Sequence, residues 1–351
     1  MMASTFVPRR FFPAIDSIPR TYFLGHHKAA LERMKNMLST IDHVIECRDF
    51  RIPATSINPL FEEALGEKSR WIIYTKRDLG GDLRLENQKR EKMIQRWNRG
   101  SKVFFASQFN NNTIVPIVKS LKRHPFNIHK ITGVRILVVG MPNVGKSSLI
   151  NALRKYAMKR KNKVARTGAD PGVTRRVGTG IKIIERSRGS VYVHDTPGVF
   201  VPYMPDSESM LKLGICGCLK HSIIPIITLA DYLLYQINLH KPSIYAKYSP
   251  PTNDIVHFLE AFAAKTGSLA KGGIPNIDIA ADKMIRMFQN GKLGTFIMDD
   301  ILSVTLQLKE ERLAAMGGSL NQAKKAEKLE KKGSNSDIVQ TEVETYRRVD
   351  Y

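Results

Sequence analysis

GMPNVGKSS, residues 140–148, follows the apolar run RILVVG (135–140) and opens a helical pattern. It fits G-x-x-x-x-G-K-[ST] in the strand–loop–helix context that gives this motif its meaning. Glycines let the backbone curl until the N–H groups of Val144, Gly145, Lys146, Ser147 and Ser148 point inward at phosphate oxygens. The helix start adds positive potential. Lys146 is placed to neutralise the β and γ phosphates and to assist their transfer, and Ser147 offers a hydroxyl to Mg²⁺.

Two downstream segments extend this site. DTPG (195–198) ends the predicted strand SVYVHDT (190–196). Asp195 there holds Mg²⁺ through water, and the Gly198 N–H meets a γ-phosphate. DPGVTR (170–175) lies between loop and strand, where Thr174 completes the metal shell. A fourth segment comes earlier in the chain. TKRD (75–78) ends the predicted strand WIIYT (71–75). Guanine presents two adjacent donors, N1–H and N2–H₂, that a carboxylate such as Asp78 accepts together, with the Lys76 stem along the base plane. Thr75 stands where most guanine-reading loops carry Asn, and it supplies one hydrogen bond without an amide. The next predicted strand, KVFFA (102–106), leads to Ser107, whose backbone is expected to meet the guanine carbonyl; Gln108 follows where Lys is usual.

The base-reading segments thus precede the phosphate loop, the reverse of the ordinary GTPase order. A circular permutation explains this. Chain ends lie close in compact domains, and about eleven residues separate the helical pattern 113–123 from strand 135–140. Extended, they reach roughly 36–40 Å. With IDHVIEC (41–47), the apolar runs alternate with helical patterns at 85–96 and 113–123, which predicts a doubly wound α/β sheet domain. The nucleotide domain is expected over 21–204, with an N-terminal helix over 27–37. Beyond it, 205–308 reads as a helical domain entered directly after DTPG, and 309–351 as a charged tail, helical and then disordered. The longest apolar stretch, 222–237, contains Pro225 and Asp231 and reads as a buried helix.

Net charge is +23, and between Arg154 and Arg188 twelve Lys/Arg face only Asp170 and Glu185. Such self-repulsion calls for a polyanion: nucleic acid first, an anionic membrane surface second. The three cysteines form no disulfide or zinc pattern, and Cys216 and Cys218 read as small residues packed in a helix. Residues 1–20 hold three arginines and one acid. This composition suits a mitochondrial presequence, whereas Pro8, Pro13 and Pro19 oppose the helix such a signal needs; an unstructured start is the other reading.

The segments YFLGHHKAALERM, CRDFRIPATSINP, TKRDL, GMPNVGKSSLIN, DPGVTR, DTPGVF and LKLGICGCLKHSII together resemble the circularly permuted YlqF/RbgA-type GTPases, in particular their mitochondrial branch. The resemblance covers about residues 22–300. It implies GTP hydrolysis, binding to the large ribosomal subunit and its rRNA late in assembly, and residence in the mitochondrial matrix as a monomer, with peripheral contact to the inner membrane. It matches His26, in F-x-G-H, to the residue that positions water, because Val199 after DTPG has no polar group. It matches Asn143 to a position suited to K⁺. A different class of reading is a GTP-gated binding module with incidental hydrolysis; a metabolic ATPase is disfavoured by TKRD and DTPG.

Overall fold

The computed structural model describes residues 6–15, 17–22, 25–66, 68–81, 84–124, 133–159, 164–165, 180–185, 189–201, 203–220 and 222–301. Six strands form one sheet: β1 His43–Asp49, β2 Arg70–Thr75, β3 Lys102–Phe105, β4 Val134–Gly140, β5 Ile181–Ile184 and β6 Val191–Asp195. Their order is β3-β2-β1-β4-β6-β5. All neighbours are parallel except β5 and β6, which run antiparallel.

Strand side chains alternate between faces, as a period of two requires. In β4, Ile136 and Val138 join the main core, while Leu137 and Val139 meet α1 (Gly25–Met37) and α2 (Pro59–Leu65) on the other face. In β2, Trp71 and Ile73 face the main core, and Ile72 and Tyr74 pack with Ile94 and Trp97 of α3 (Arg84–Trp97). Helices α4 (Asn111–Arg123) and α5 (Lys146–Met158) cover the main-core face.

Strand β1 runs two residues further than the apolar pattern predicted, through Arg48 and Asp49. Charge ordinarily ends a buried strand; here Glu46 and Arg48, each 1% exposed, pair at 2.6 Å and let it continue. Helix α2 was not expected. The segment joining α4 to β4, residues 125–132, lies outside the described residues, as do Thr174, most of the basic run (160–163, 166–179, 186–188) and the tail from 302.

After β6 the chain enters α6 (Ser207–Ile215), capped by the Asp206 carboxylate, then α7 (Ile226–His240), α8 (Ile255–Thr266) and α9 (Ile277–Gln289). Leu233, Phe258 and Met284 of these helices belong to the same core as Ile45 and Val138 of the sheet. Among the described residues no helix is long and apolar enough to cross a membrane. Cys216 and Cys218 are buried, but they lie in the turn past the end of α6 rather than inside a helix.

The N-terminal segment packs on α7. The Arg9 guanidinium donates to both Asp231 oxygens, at 3.1 and 2.5 Å, and sits over the Phe12 and Tyr235 rings. Ile18 is 4% exposed, and Phe12 and Ile15 pack against the same core. Burying one such apolar side chain stabilises by about 1.5–3 kcal/mol. Deleting residues 1–20 is therefore expected to lower the melting temperature by about 5 °C or more in a thermal denaturation scan.

Candidate nucleotide site

The register brings the strand ends together. Gly140 pairs with Cys47, and Asp49 pairs with Thr75. The phosphate loop and TKRD therefore leave the sheet at one carboxyl edge, beside the point between β1 and β4 where strand order reverses. That is where open α/β sheets bind ligands.

Within the phosphate loop, Gly145 has φ +93, a value that favours glycine. A Cβ at Gly198 would lie 2.4 Å from the Pro142 Cα, so the DTPG turn closes on the loop only with glycine there. Lys146 starts α5, is 6% exposed, and donates to the Gly140 and Met141 carbonyls at 3.2 and 2.7 Å. Burial lowers its pKa, and the Asp195 carboxylate opposes that. Ser147 Oγ lies 2.6 Å from Asp195 Oδ2. A hydroxyl and a carboxylate at one point are the hard oxygen donors that magnesium takes, so the donor set fits that ion. The Thr196 hydroxyl fixes the turn by donating to Val138 O at 2.7 Å.

The base side meets this loop directly. The Thr75 hydroxyl contacts Val144 O and lies 3.1 Å from Arg48 O. These bonds brace the phosphate loop. Lys76, at φ 56, donates to Asn143 O at 2.7 Å and to Asp49 Oδ2 at 2.8 Å. Asp78 lies exposed in a tight turn, Arg77–Leu79. That turn is tied to the next loop by Arg77 N–H donating to Ala106 O at 3.0 Å. Asp78 and Ser107 line one open cleft of about 460 Å³ with Arg77, Phe105 and Thr113. Its described walls include no phosphate-loop residue. The Ser107 N–H donates to Thr113 Oγ1 at 2.9 Å. In this arrangement a local side-chain bond occupies that donor.

His26 is exposed at the start of α1, its ring 4.1 Å from that of His27. Partial desolvation of the ring, then the Lys220 charge, lower its pKa. His27 is 2% exposed, and its Nδ1 lies 3.1 Å from Gly198 O and 3.4 Å from Phe200 N. Burial and the neighbouring His26 depress its pKa to about 4, so the ring is neutral near pH 7. Val199 is buried; its N–H donates to Gly140 O at 3.2 Å, and its carbonyl accepts from Asn58 Nδ2 at 2.9 Å. His27, Asn58, Asp49 and Arg51 escaped sequence reasoning. Their one signal was position: all lie in the segments HHK and CRDFRIPATSINP, which carried the resemblance without assigned roles.

A phosphate loop, a DTPG turn and an earlier TKRD turn on one sheet edge define a circularly permuted GTPase domain. Residues 135–266 match the family model described as 50S ribosome-binding GTPase. The chain is 36% identical over 321 residues to mitochondrial GTPase 1 of Schizosaccharomyces pombe, covering 84% of this chain and 94% of that one. It is 35% identical to mitochondrial ribosome-associated GTPase 1 of Bos taurus, covering 83% and 92%. The chain belongs to this mitochondrial GTPase 1 family and is a GTPase. In fold it is similar to GNP-bound YlqF from T. maritima, with a TM-score of 0.53 and 22% identity over 79% of this chain and all of that one.

Proposed function

We propose that this GTPase binds the large subunit of the mitochondrial ribosome in the matrix and acts late in its assembly, using GTP to set the position of the helical region. The observation that carries the reading is a continuous path. From Asp195 and Gly198 the chain runs directly into α6, and α6–α9 share one core with the sheet. A loop that answers to the γ-phosphate can tilt such a region. The ribosomal names of the Bos taurus relative and of the family model, and the net charge of +23, support the partner.

In this reading Lys146 and the amides of Val144, Gly145, Ser147 and Ser148 hold the phosphates, while Asp78 reads guanine. Thr75 and Lys76 lock the two loops together. Ser147, Thr174 and Asp195 would hold magnesium, which would supply charge stabilisation on the phosphate oxygens. Gly198 presents its amide to the γ-phosphate, His26 positions water, and Asn143 would hold K⁺, which would supply positive charge beside the phosphates.

The test is sedimentation of the full chain with mitochondrial large subunits, beside phosphate release in KCl and in NaCl. Co-sedimentation with a non-hydrolysable GTP analogue, its loss with GDP, and potassium-dependent stimulation by particles are expected. The buried, apolar Val199 favours a second reading, the GTP-gated tether. Nucleotide-dependent binding with phosphate release at background would select it, and no binding in either state would remove both.

A further inference from the structure

Asp49 ends β1 and is fully buried. Its Oδ1 accepts from the Arg51 N–H and Nε–H, each at 3.0 Å. Its Oδ2 accepts from Arg51 Nη2 at 2.7 Å and Lys76 Nζ at 2.8 Å. Both cations reach further. Lys76 Nζ also holds Asn143 O of the phosphate loop. Arg51, 1% exposed, donates from Nη2 to Cys216 O at the end of α6, 3.3 Å away, and its own carbonyl accepts from Met298 N–H at 2.8 Å. One carboxylate therefore lies at the junction of the TKRD turn, the phosphate loop and the helical region.

Burial opposes ionisation of this carboxyl, but the Arg51 and Lys76 charges outweigh it and hold its pKa well below the usual range. Buried ion networks of this kind are poor sources of net stability, since apolar replacements often do as well. What such a network supplies here is geometry. Lys76 sits in the left-handed region, which costs a non-glycine residue energy. Its ammonium has two fixed acceptors that hold the turn in that conformation.

We propose that Asp49 is a positioning residue for nucleotide binding: through Lys76 it sets the TKRD turn against the phosphate loop, and through Arg51 it ties that junction to α6. The inference rests on the reading of residues 75–78 as the guanine loop. Asp49 touches no nucleotide in this role, so its effect falls on affinity.

The experiment is a double-mutant cycle on GTP affinity and steady-state kinetics with the full chain. Asp49→Asn alone leaves the buried Arg51 charge unmatched and risks unfolding, so the neutral pair Asp49→Asn/Arg51→Gln is made beside it. Lys76→Ala is the third variant, at a partly exposed position. The pair is expected to raise KM and the dissociation constant about tenfold, the value of one charge-assisted hydrogen bond. Its kcat at saturating GTP should move less than twofold. Adding Lys76→Ala to the pair should cost clearly less than the product of the two separate losses, because part of the Lys76 effect runs through Asp49 while its stem and its bond to Asn143 O do not. A pair that binds as wild type, losses that multiply, or Lys76→Ala binding as wild type would each overturn the inference. Should neither Asp49 variant fold, Lys76→Met decides: it keeps the stem and removes only the ammonium that Asp49 holds, and wild-type GTP affinity there overturns the inference. Asp78→Ala run in parallel separates the layers: if it leaves GTP preference intact, the reading of the loop falls. If it acts while the Asp49 pair does not, only the present inference falls.

Discussion

Asp78→Ala is expected to raise the dissociation constant for GTP about a hundredfold and to abolish the preference for GTP over ATP. The carboxylate would accept two adjacent donors of the guanine ring, and hydrogen bonds to a charged group contribute roughly 1.5–3 kcal/mol each. Asp78 is exposed in its turn, so its loss should leave the melting temperature unchanged. Residual binding would persist through Lys146 and the phosphate-loop amides, which do not involve the base. Competition between labelled GTP and excess ATP or GDP measures the effect. Asp78→Asn makes the converse case: an amide donor there should favour a ring with oxygen at C2, such as xanthine, over guanine. A GTP preference unaffected by either change would detach TKRD from the nucleotide altogether.

The second large effect concerns turnover. His26→Ala is expected to lower particle-stimulated kcat by about a hundredfold, within the usual range for a positioned acid or base, with GTP affinity unchanged. The structure makes this a choice between neighbours. His26 faces solvent, whereas His27 is buried against the DTPG segment through Nδ1. A neutral, buried ring bound to Gly198 O has the features of a brace for the turn. His27→Ala should therefore cost about 1–3 kcal/mol of stability for the lost buried contact while changing kcat less than His26→Ala. Single-turnover phosphate release and thermal melts on both variants separate the two. If His27→Ala removes turnover and His26→Ala does not, the role passes to the buried histidine.

Both histidines lie in one motif, and nothing in the residue string distinguishes them. Burial decides: helix α1 turns His27, Ala30 and Met34 inward and leaves His26 outside. The same limit applies to Thr75. Its identity signals a departure from Asn, but only the folded positions of Val144 O and Arg48 O give its hydroxyl partners. Ser107 was legible as the end of a strand, yet Thr113, six residues later, takes its amide. Asp49 and Arg51 were legible only as charges after a strand. A charged pair at a strand end is ordinarily a turn signal, and its burial depends on Lys76 and on α6, far away in sequence.

Motif identity, spacing and chain order by themselves determined the nucleotide class, the permuted topology and the α/β sheet followed by helices. Each of these is local information: a glycine-rich turn between strand and helix, or the period of an apolar run. Tertiary structure alone decided which groups share an atom: Lys76 on Asn143 O, Asp49 between Lys76 and Arg51, His27 on Gly198. Those contacts join segments far apart in the chain, and the parallel register that aligns Gly140 with Cys47 and Asp49 with Thr75 is what brings them within hydrogen-bond reach.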